Sequence, residues 1–307
     1  YIFSALEHGL SVVSANKDLV ALYGPDIIHK AIENHVNFSC EASVGGGIPI
    51  LMPLHQSLAA NQIESIVGIL NGTTNYILSQ MTETGVNYAN ALADAQKQGF
   101  AEADPTNDVC GFDAARKLAI LSSIGFRANV TFDDVLVEGI EKIDKSDIQY
   151  AKDMGYTIKL LTVALRQENG IALNVYPAFL PDNHPLSSVK GAYNAIYVTG
   201  NIVDDVMFYG RGAGALPTAS AVMGDVISTA QHILNGSTGT GMIMTDTKRI
   251  PFYSSLKLQN SYYFRLDVDD VTGVLSQIAA AFAENDISIC EVVQKRKTKG
   301  LAELVLI

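Results

Sequence analysis

Residues 10–44, LSVVSANKDLVALYGPDIIHKAIENHVNFSCEASV, decide the first part of the fold. "LSVVSAN" (10–16) is an apolar run that reads as a buried strand, and "DIIHKAIENHV" (26–36) is an amphipathic helix. "NFSCEASV" (37–44) is a second strand. Strand, helix and strand in this order are the βαβ signature of a parallel sheet. Upstream, "IFSALEHG" (2–9) has a helical rhythm and stops at Gly9, as a C-capping glycine would. The pattern amounts to about half of a doubly wound nucleotide domain, and 1–40 are read as the C-terminal part of one. Lys17 follows the first strand at its C-terminal end, where open α/β sheets bind ligands. Taken alone, a surface lysine after a strand is the plainer reading. The chain opens without an initiator Met and closes on the strand-like "LAELVLI" (301–307), so truncation at both ends is expected.

Beyond residue 44 the rhythm changes. "PILMPLHQSLAA" (49–60) predicts a helix, "IESIVGILN" (63–71) a strand, and "TTNYILSQMTET" (73–84) a helix with Thr73 or Thr74 as N-cap. Helices are also expected over "NYANALADAQKQGF" (87–100), ending near Gly99, and over "GFDAARKLAILSSIGF" (111–126). "IKLLTVALRQ" and "IALNVYPAF" flank the turn signal "ENG", and "YNAIYVTGNIVDDVMFYGRGAG" repeats the hairpin logic. The expectation is a mixed α+β unit with an antiparallel meander, closed by the helix "LPTASAVMGDVISTAQHIL" (216–234). "NGSTGTG" (235–241) is the clearest linker signal. After it, "SYYFRLDVDD", "VLSQIAAAFAEN" and "SICEVVQKR" read as strand, helix and strand of a separate small domain. The boundaries are therefore 1–40, 41–234, a linker over 235–260, and 261–307.

With 307 residues and 48% hydrophobic content, the chain can bury a substantial core. A net charge of -11 argues against a general nucleic-acid binder, which needs a basic face. Cys40, Cys110 and Cys290 are few, odd in number and far apart, which suggests reduced thiols in a cytoplasmic setting. No paired histidine spacing points to zinc, and no apolar run is long enough to span a membrane.

Chemistry concentrates in "GFAEADPTNDVCGFDAARKLAIL" (99–121). Asp113 and Lys117 lie four apart and share one helix face. A weak surface ion pair is the plain interpretation. However, Asp113 falls in the first helical turn, where the macrodipole favours an anion. Lys117 runs directly into "LAIL" and so sits at the core's edge, where a lysine can serve as a general acid toward a carbonyl oxygen. Glu102, Asp104 and Asp108 precede the helix. They fit a solvated acidic loop, or a site for a substrate amine, and for Asp104 and Asp108 the two readings stand even. "EASVGGGIP" (41–49) is either a flexible turn or a backbone cage turning carbonyls toward a cation. "GRGAG" (210–214) opens a helix whose amides could face phosphate or a nicotinamide amide.

"GILNGTTNYILSQM" (68–81) and "ALADAQKQGFAEADPTNDVCGFDAARKLAIL" (91–121) resemble the homoserine dehydrogenase family, and the likeness continues through "SANK", "EASVGGGIPI" and "YGRGAGALPTASAVMGDV". The resemblance implies NAD(P)H-dependent reduction of L-aspartate 4-semialdehyde to L-homoserine, on the route to threonine and methionine. It implies Lys117 as proton donor, Asp113 as substrate holder that orients Lys117, and Glu102 as the partner of the substrate amine. Asp108 and Lys17 would also face the substrate. Lys17, Gly99 and Gly214 would approach the cofactor, and Glu41, Val44, Gly46 and Ile48 would bind a monovalent cation, usually sodium. "RLDVDDVTGVLSQIAAAFAENDISICEVVQ" (265–294) resembles an ACT domain, which implies a ferredoxin-like fold and threonine as an effector. The implied fold class is α/β: a partial Rossmann-like nucleotide-binding domain, an α+β catalytic and dimerisation domain with an antiparallel sheet, and a partial ACT domain. A homodimer or homotetramer follows from the same likeness. The family's N-terminal GxGxxG turn is not in these residues, so weak NAD(P) binding by this polypeptide is expected. Two alternatives stand beside this reading: an amino-acid-binding regulatory module on a non-catalytic scaffold, and a related semialdehyde dehydrogenase.

Overall fold

The opening strand, helix and strand form as read, with different bounds. The computed structural model describes residues 1–239, 244, 250–253, 258–296 and 300–307. Helix α1 (Ile2–Glu7) precedes β1 (Val12–Val13). Helix α2 (Lys17–Glu33) leads to β2 (Phe38–Ser39), which pairs in parallel with β1, Val12 opposite Phe38. α2 is longer than its apolar rhythm suggested. Asn16 caps it by accepting the Leu19 N–H at 3.1 Å, which makes Lys17 its first residue. Pro25 lies inside the helix without ending it. Its fixed φ is helical, and the buried row Val20, Gly24, Ile27, Ile28 and Ala31 outweighs the lost N–H bond. The second strand is shorter than expected, because Glu41–Ser43 turn into a 3-10 helix.

Strand β3 (Ile63–Ile69) is followed by helices α3 (Gly72–Thr84), α4 (Tyr88–Lys97), α5 (Thr106–Val109) and α6 (Phe112–Gly125). Then come β4 (Leu136–Val137), α7 (Lys145–Asp153), β5 (Tyr156–Gln167), β6 (Gly170–Pro181), β7 (Tyr193–Gly200), β8 (Asp204–Arg211) and α8 (Ala215–Leu234). The expected helix over 49–60 is reduced to one turn at 51–52 and a π-helix, Pro53–Ser57. The N-cap of α3 is Asn71, not Thr73 or Thr74: its Oδ1 accepts the Thr74 N–H at 2.8 Å. The hairpins β5–β6 and β7–β8 form, but not as a meander. β3 stands between them, giving the order β4-β6-β5-β3-β7-β8, and β4 joins β6 in parallel. β3 therefore links the two hairpins, a long-range pairing that turn signals cannot reveal.

Alternation sorts the six-stranded sheet into two faces. Ile158, Leu160, Ala164, Ile196 and Val198 join the main core with the helices. Leu161, Val163, Leu180 and Ala195 point to the other face, with Leu186 and Val189 of the 185–189 turn. α6 lies in the main core: Leu118, Ala119, Ile120 and Leu121 are at most 1% exposed. Burying three such large aliphatic side chains contributes roughly 1.5–3 kcal/mol each, which anchors the helix that carries Asp113 and Lys117. Lys159 was not foreseen in the core. It projects from β5 and donates to Asn75 Oδ1 (2.9 Å) and the Val189 carbonyl (2.5 Å). Burial draws its ammonium down to about 8.

The chain divides into two compact units, Tyr1–Ser255 and Leu256–Ile307. The second holds β9 (Phe264–Asp269), α9 (Val274–Glu284), β10 (Val292–Arg296) and β11 (Leu301–Leu306), with the antiparallel order β10-β11-β9. Of the expected linker over 235–260, residues 240–243, 245–249 and 254–257 lie outside the described residues.

Candidate active site

The site is built at the N-terminus of α6, where four elements converge. Gly111 adopts φ +85° as the N-cap of α6, so the chain turns sharply from α5. An added Cβ there would meet Val137 and Val175 side chains at 3.1 Å. Asp113 follows in the first turn and is buried, and Lys117 lies one turn on. Lys117 Nζ donates to Asp113 Oδ2 at 2.7 Å and to the Leu70 carbonyl at 2.9 Å. Its side chain is 12% exposed. Among the described residues two of its three ammonium protons are thus engaged, which leaves the third for a ligand.

Lys17 reaches the same carboxylate from α2, with Nζ 3.3 Å from Asp113 Oδ1. Burial works to raise the Asp113 carboxyl, but the charge and hydrogen bond of Lys117, the Asn71 amide and the Lys17 charge hold it below the ordinary carboxylate range. The arrangement is a carboxylate shared by two ammonium groups from different helices. Asn71 completes it, donating from Nδ2 to Asp113 Oδ2 (3.0 Å) and Asp108 Oδ1 (2.7 Å). Asp108 is half-buried on α5, and burial raises its carboxyl, with Asn71 opposing.

The structure therefore brings together Lys17, Asp108, Asp113 and Lys117 and leaves the other acidic residues apart. Glu102 is exposed on the loop, and its carbonyl accepts from Gln96 Nε2 at 3.1 Å. Asp104 Oδ1 accepts from Thr106 N and Oγ1, a local turn that holds its carboxyl below its usual value. Arg116 serves packing: its Nε is 3.3 Å from Asp18 Oδ1 and its guanidinium stacks over Phe132. Asn71 was missed as a site residue. An Asn before Gly-Thr-Thr signals an N-cap, but its reach to Asp113, 42 positions on, is a tertiary fact.

Two glycine-rich loops lie against each other. Gly47 N donates to the Arg211 carbonyl at 3.0 Å. Gly46 has φ +56°, and an added Cβ would stand 2.5 Å from Gly212 O. Glu41 does not present its carboxylate to an ion: Oε1 accepts from Ile50 N and Leu51 N, and Oε2 from Met52 N. Any cation role at Glu41 therefore falls on its carbonyl. Val44 and Ile48 are buried in the same loop. Gly214 (φ +120°) caps α8 without a side-chain bond, and Gly99 (φ +75°) has nothing within 4 Å of an added Cβ. An added Cβ at Gly214 would meet the Pro217 ring at 3.5 Å, so of the two only Gly99 borders open space. Asp225 of α8 accepts the Glu41 N–H at 2.9 Å, and burial lifts its carboxyl to about 6.

These contacts set an expected difference between two substitutions. Gly46→Ala combines a backbone clash with positive φ and should cost about 2–4 kcal/mol. Gly99→Ala carries φ strain alone, about 1 kcal/mol. Calorimetry of both should show the larger Tm loss for Gly46→Ala, and equal losses would contradict the loop packing.

A parallel βαβ unit followed by a mixed-sheet unit, with lysines from both meeting on one buried carboxylate, is the architecture of an α/β oxidoreductase. The homoserine dehydrogenase family model matches residues 49–227. Homoserine dehydrogenase of Bacillus subtilis strain 168 is 42% identical over 310 residues, covering all of this chain and 71% of that protein. The crystal structure of a homoserine dehydrogenase from Thiobacillus denitrificans superposes with a TM-score of 0.93 at 39% identity, covering 99% of this chain and 70% of that one. A hyperthermophilic archaeal homoserine dehydrogenase in complex with NADPH gives a TM-score of 0.65 at 29% identity, over 75% of this chain and 67% of that one. The chain belongs to the homoserine dehydrogenase family, whose members are oxidoreductases of amino-acid biosynthesis. No helix among the described residues is long and apolar enough to cross a membrane.

Proposed function

We propose that the Lys17–Asp113–Lys117 cluster carries the NAD(P)H-dependent reduction of L-aspartate 4-semialdehyde to L-homoserine. The observation that carries this reading is the pair of ammonium groups on one buried carboxylate. NAD(P)H, when bound, supplies the hydride to the aldehyde carbon. As the carbonyl π pair moves onto oxygen, negative charge develops there, and Lys117 and Lys17 stabilise it. Lys117 Nζ gives its free proton to that oxygen, forming the hydroxyl and leaving a neutral amine still held by Asp113 and Leu70. Asp113 holds both lysines in place, at 3.3 Å from Lys17 and 2.7 Å from Lys117. Gly99, Gly214 and Lys17 fit the nicotinamide end of the cofactor, since both glycines are exposed and Lys17 begins α2 at the C-terminal end of β1.

Glu102 and Asp108 supply negative charge for the substrate ammonium. Glu102→Ala should raise KM roughly tenfold or more, as expected for a lost charge-assisted hydrogen bond, while kcat changes less. Steady-state kinetics with the intact protein checks this, and a wild-type KM would remove Glu102 from the substrate site. A monovalent cation such as sodium fits the carbonyls of Glu41, Val44, Gly46 and Ile48, where two positive-φ glycines turn the chain tightly. We also assign threonine as an effector of 261–307 and a homodimer or homotetramer as the assembly. Partly covered Tyr176, Tyr193 and Tyr197 on the second face of the large sheet favour a partner subunit. Comparing kcat/KM for aspartate 4-semialdehyde with that for its one-carbon-longer homologue tests the substrate assignment: the shorter aldehyde should be preferred, and the reverse order would overturn it.

A further inference from the structure

We propose that Asn71 is a positioning residue for the reduction: its amide holds Asp113 in the orientation that Lys117 uses and keeps Asp108 from competing for it. This rests on the reading of Lys117 and Asp113 given above. Asn71 is 5% exposed. Its orientation is fixed by the backbone, because Oδ1 must face the Thr74 N–H that it caps, which leaves Nδ2 to face the acids. One Nδ2 proton goes to Asp108 Oδ1 at 2.7 Å and the other to Asp113 Oδ2 at 3.0 Å. The residue before it, Leu70, holds Lys117 through its carbonyl at 2.9 Å. The junction of β3 and α3 thus grips both members of the catalytic pair.

Two carboxylates bound to one nitrogen are close enough for each to oppose the other's ionisation. The groups that face them are Lys117 from α6, Lys17 from α2, and Asn71 and Thr73 at the start of α3. Lys17 and Lys117 both contact Asp113 directly. Without the Asn71 donors, Asp108 loses its nearest hydrogen bond, and the two acids share a proton at higher pH. Lys117 then faces a partly protonated partner. α3 itself needs only an oxygen at this position, which serine or aspartate supplies.

The test compares Asn71→Ser and Asn71→Asp, both of which keep a capping oxygen. Asn71→Ser should melt within a few degrees of wild type, and Asn71→Asp lower, because it adds a charge at a buried position beside two carboxylates. kcat/KM at neutral pH should fall roughly ten- to a hundred-fold, as for a lost hydrogen bond to a charged group. The acid limb of the kcat/KM profile should move to higher pH, further for Asn71→Asp, which adds a third carboxylate. A folded Asn71→Ser with a wild-type acid limb and wild-type kcat overturns the proposal, because it reduces Asn71 to a helix cap. If only one variant folds, it is judged on the same criteria, and failure of both to fold also overturns the assignment. An active Lys117→Met enzyme would instead indict the catalytic reading, which separates the two failures.

Discussion

Replacing Lys117 by methionine should lower kcat roughly 10²- to 10⁴-fold, the usual contribution of a positioned general acid. Methionine keeps the apolar stem of a side chain that is only 12% exposed, so packing changes little. What is lost is the one ammonium proton that neither Asp113 nor the Leu70 carbonyl engages. KM should shift much less than kcat. Arg116→Met, one residue away on the same helix, is the control. Its partners are Asp18, Asn107 and Phe132, outside the cluster, and turnover should be nearly unchanged. Steady-state rates for the two variants check the pair of expectations. A Lys117→Met kcat within tenfold of wild type contradicts the assignment.

Asp113→Asn should damage both catalysis and stability. The amide cannot neutralise Lys17 and Lys117, and it leaves the part-buried Lys117 without its anion. Breaking a buried ion pair from one side costs about 3–5 kcal/mol, or several degrees or more of Tm. kcat/KM should fall about 10²-fold or more, as both lysines lose their alignment. The pH dependence carries a signature. Asp113 has a folded-state carboxyl below the ordinary 3.8, so its contribution to stability is present above 3.8 and is lost as pH falls through the lower folded value. The Tm gap between wild type and Asp113→Asn should therefore be widest near neutrality and narrow as the medium is acidified below 3.8. A gap that is constant across that range would mean that Asp113 is not the anion of the cluster.

The pair at the heart of the site was legible because Asp113 and Lys117 are four residues apart on a helix that turns apolar at Leu118. Local periodicity contains that fact whole. Lys17 was legible only as a lysine after a strand. Its contact with Asp113 needs the first βαβ unit to dock on α6, which no local rule states. Asp104 and Asp108 looked alike on the page. The fold separates them, because Asp104 caps its own turn at Thr106 while Asp108 is drawn inward by Asn71. The hairpins were readable from "ENG" and the second turn, yet the sheet order was not. β3 enters between β5 and β7 from nearly ninety residues upstream of β5, and strand order is a matter of packing. The start of α2 was not legible from apolar rhythm: the helix begins at Lys17, capped by Asn16, and its buried face carries it through Pro25.

The most direct test of the central claim follows the hydride and asks what its transfer costs without the Lys117 ammonium. The intact protein is given L-aspartate 4-semialdehyde and NADPH carrying deuterium at the transferable C4 position, and the product is read by NMR and mass spectrometry. The account predicts L-homoserine with a single deuterium on the carbon that bears the new hydroxyl, formed at the wild-type rate and slowed at least a hundred-fold in Lys117→Met. Unlabelled homoserine, no homoserine, or equal rates in the two proteins would contradict it.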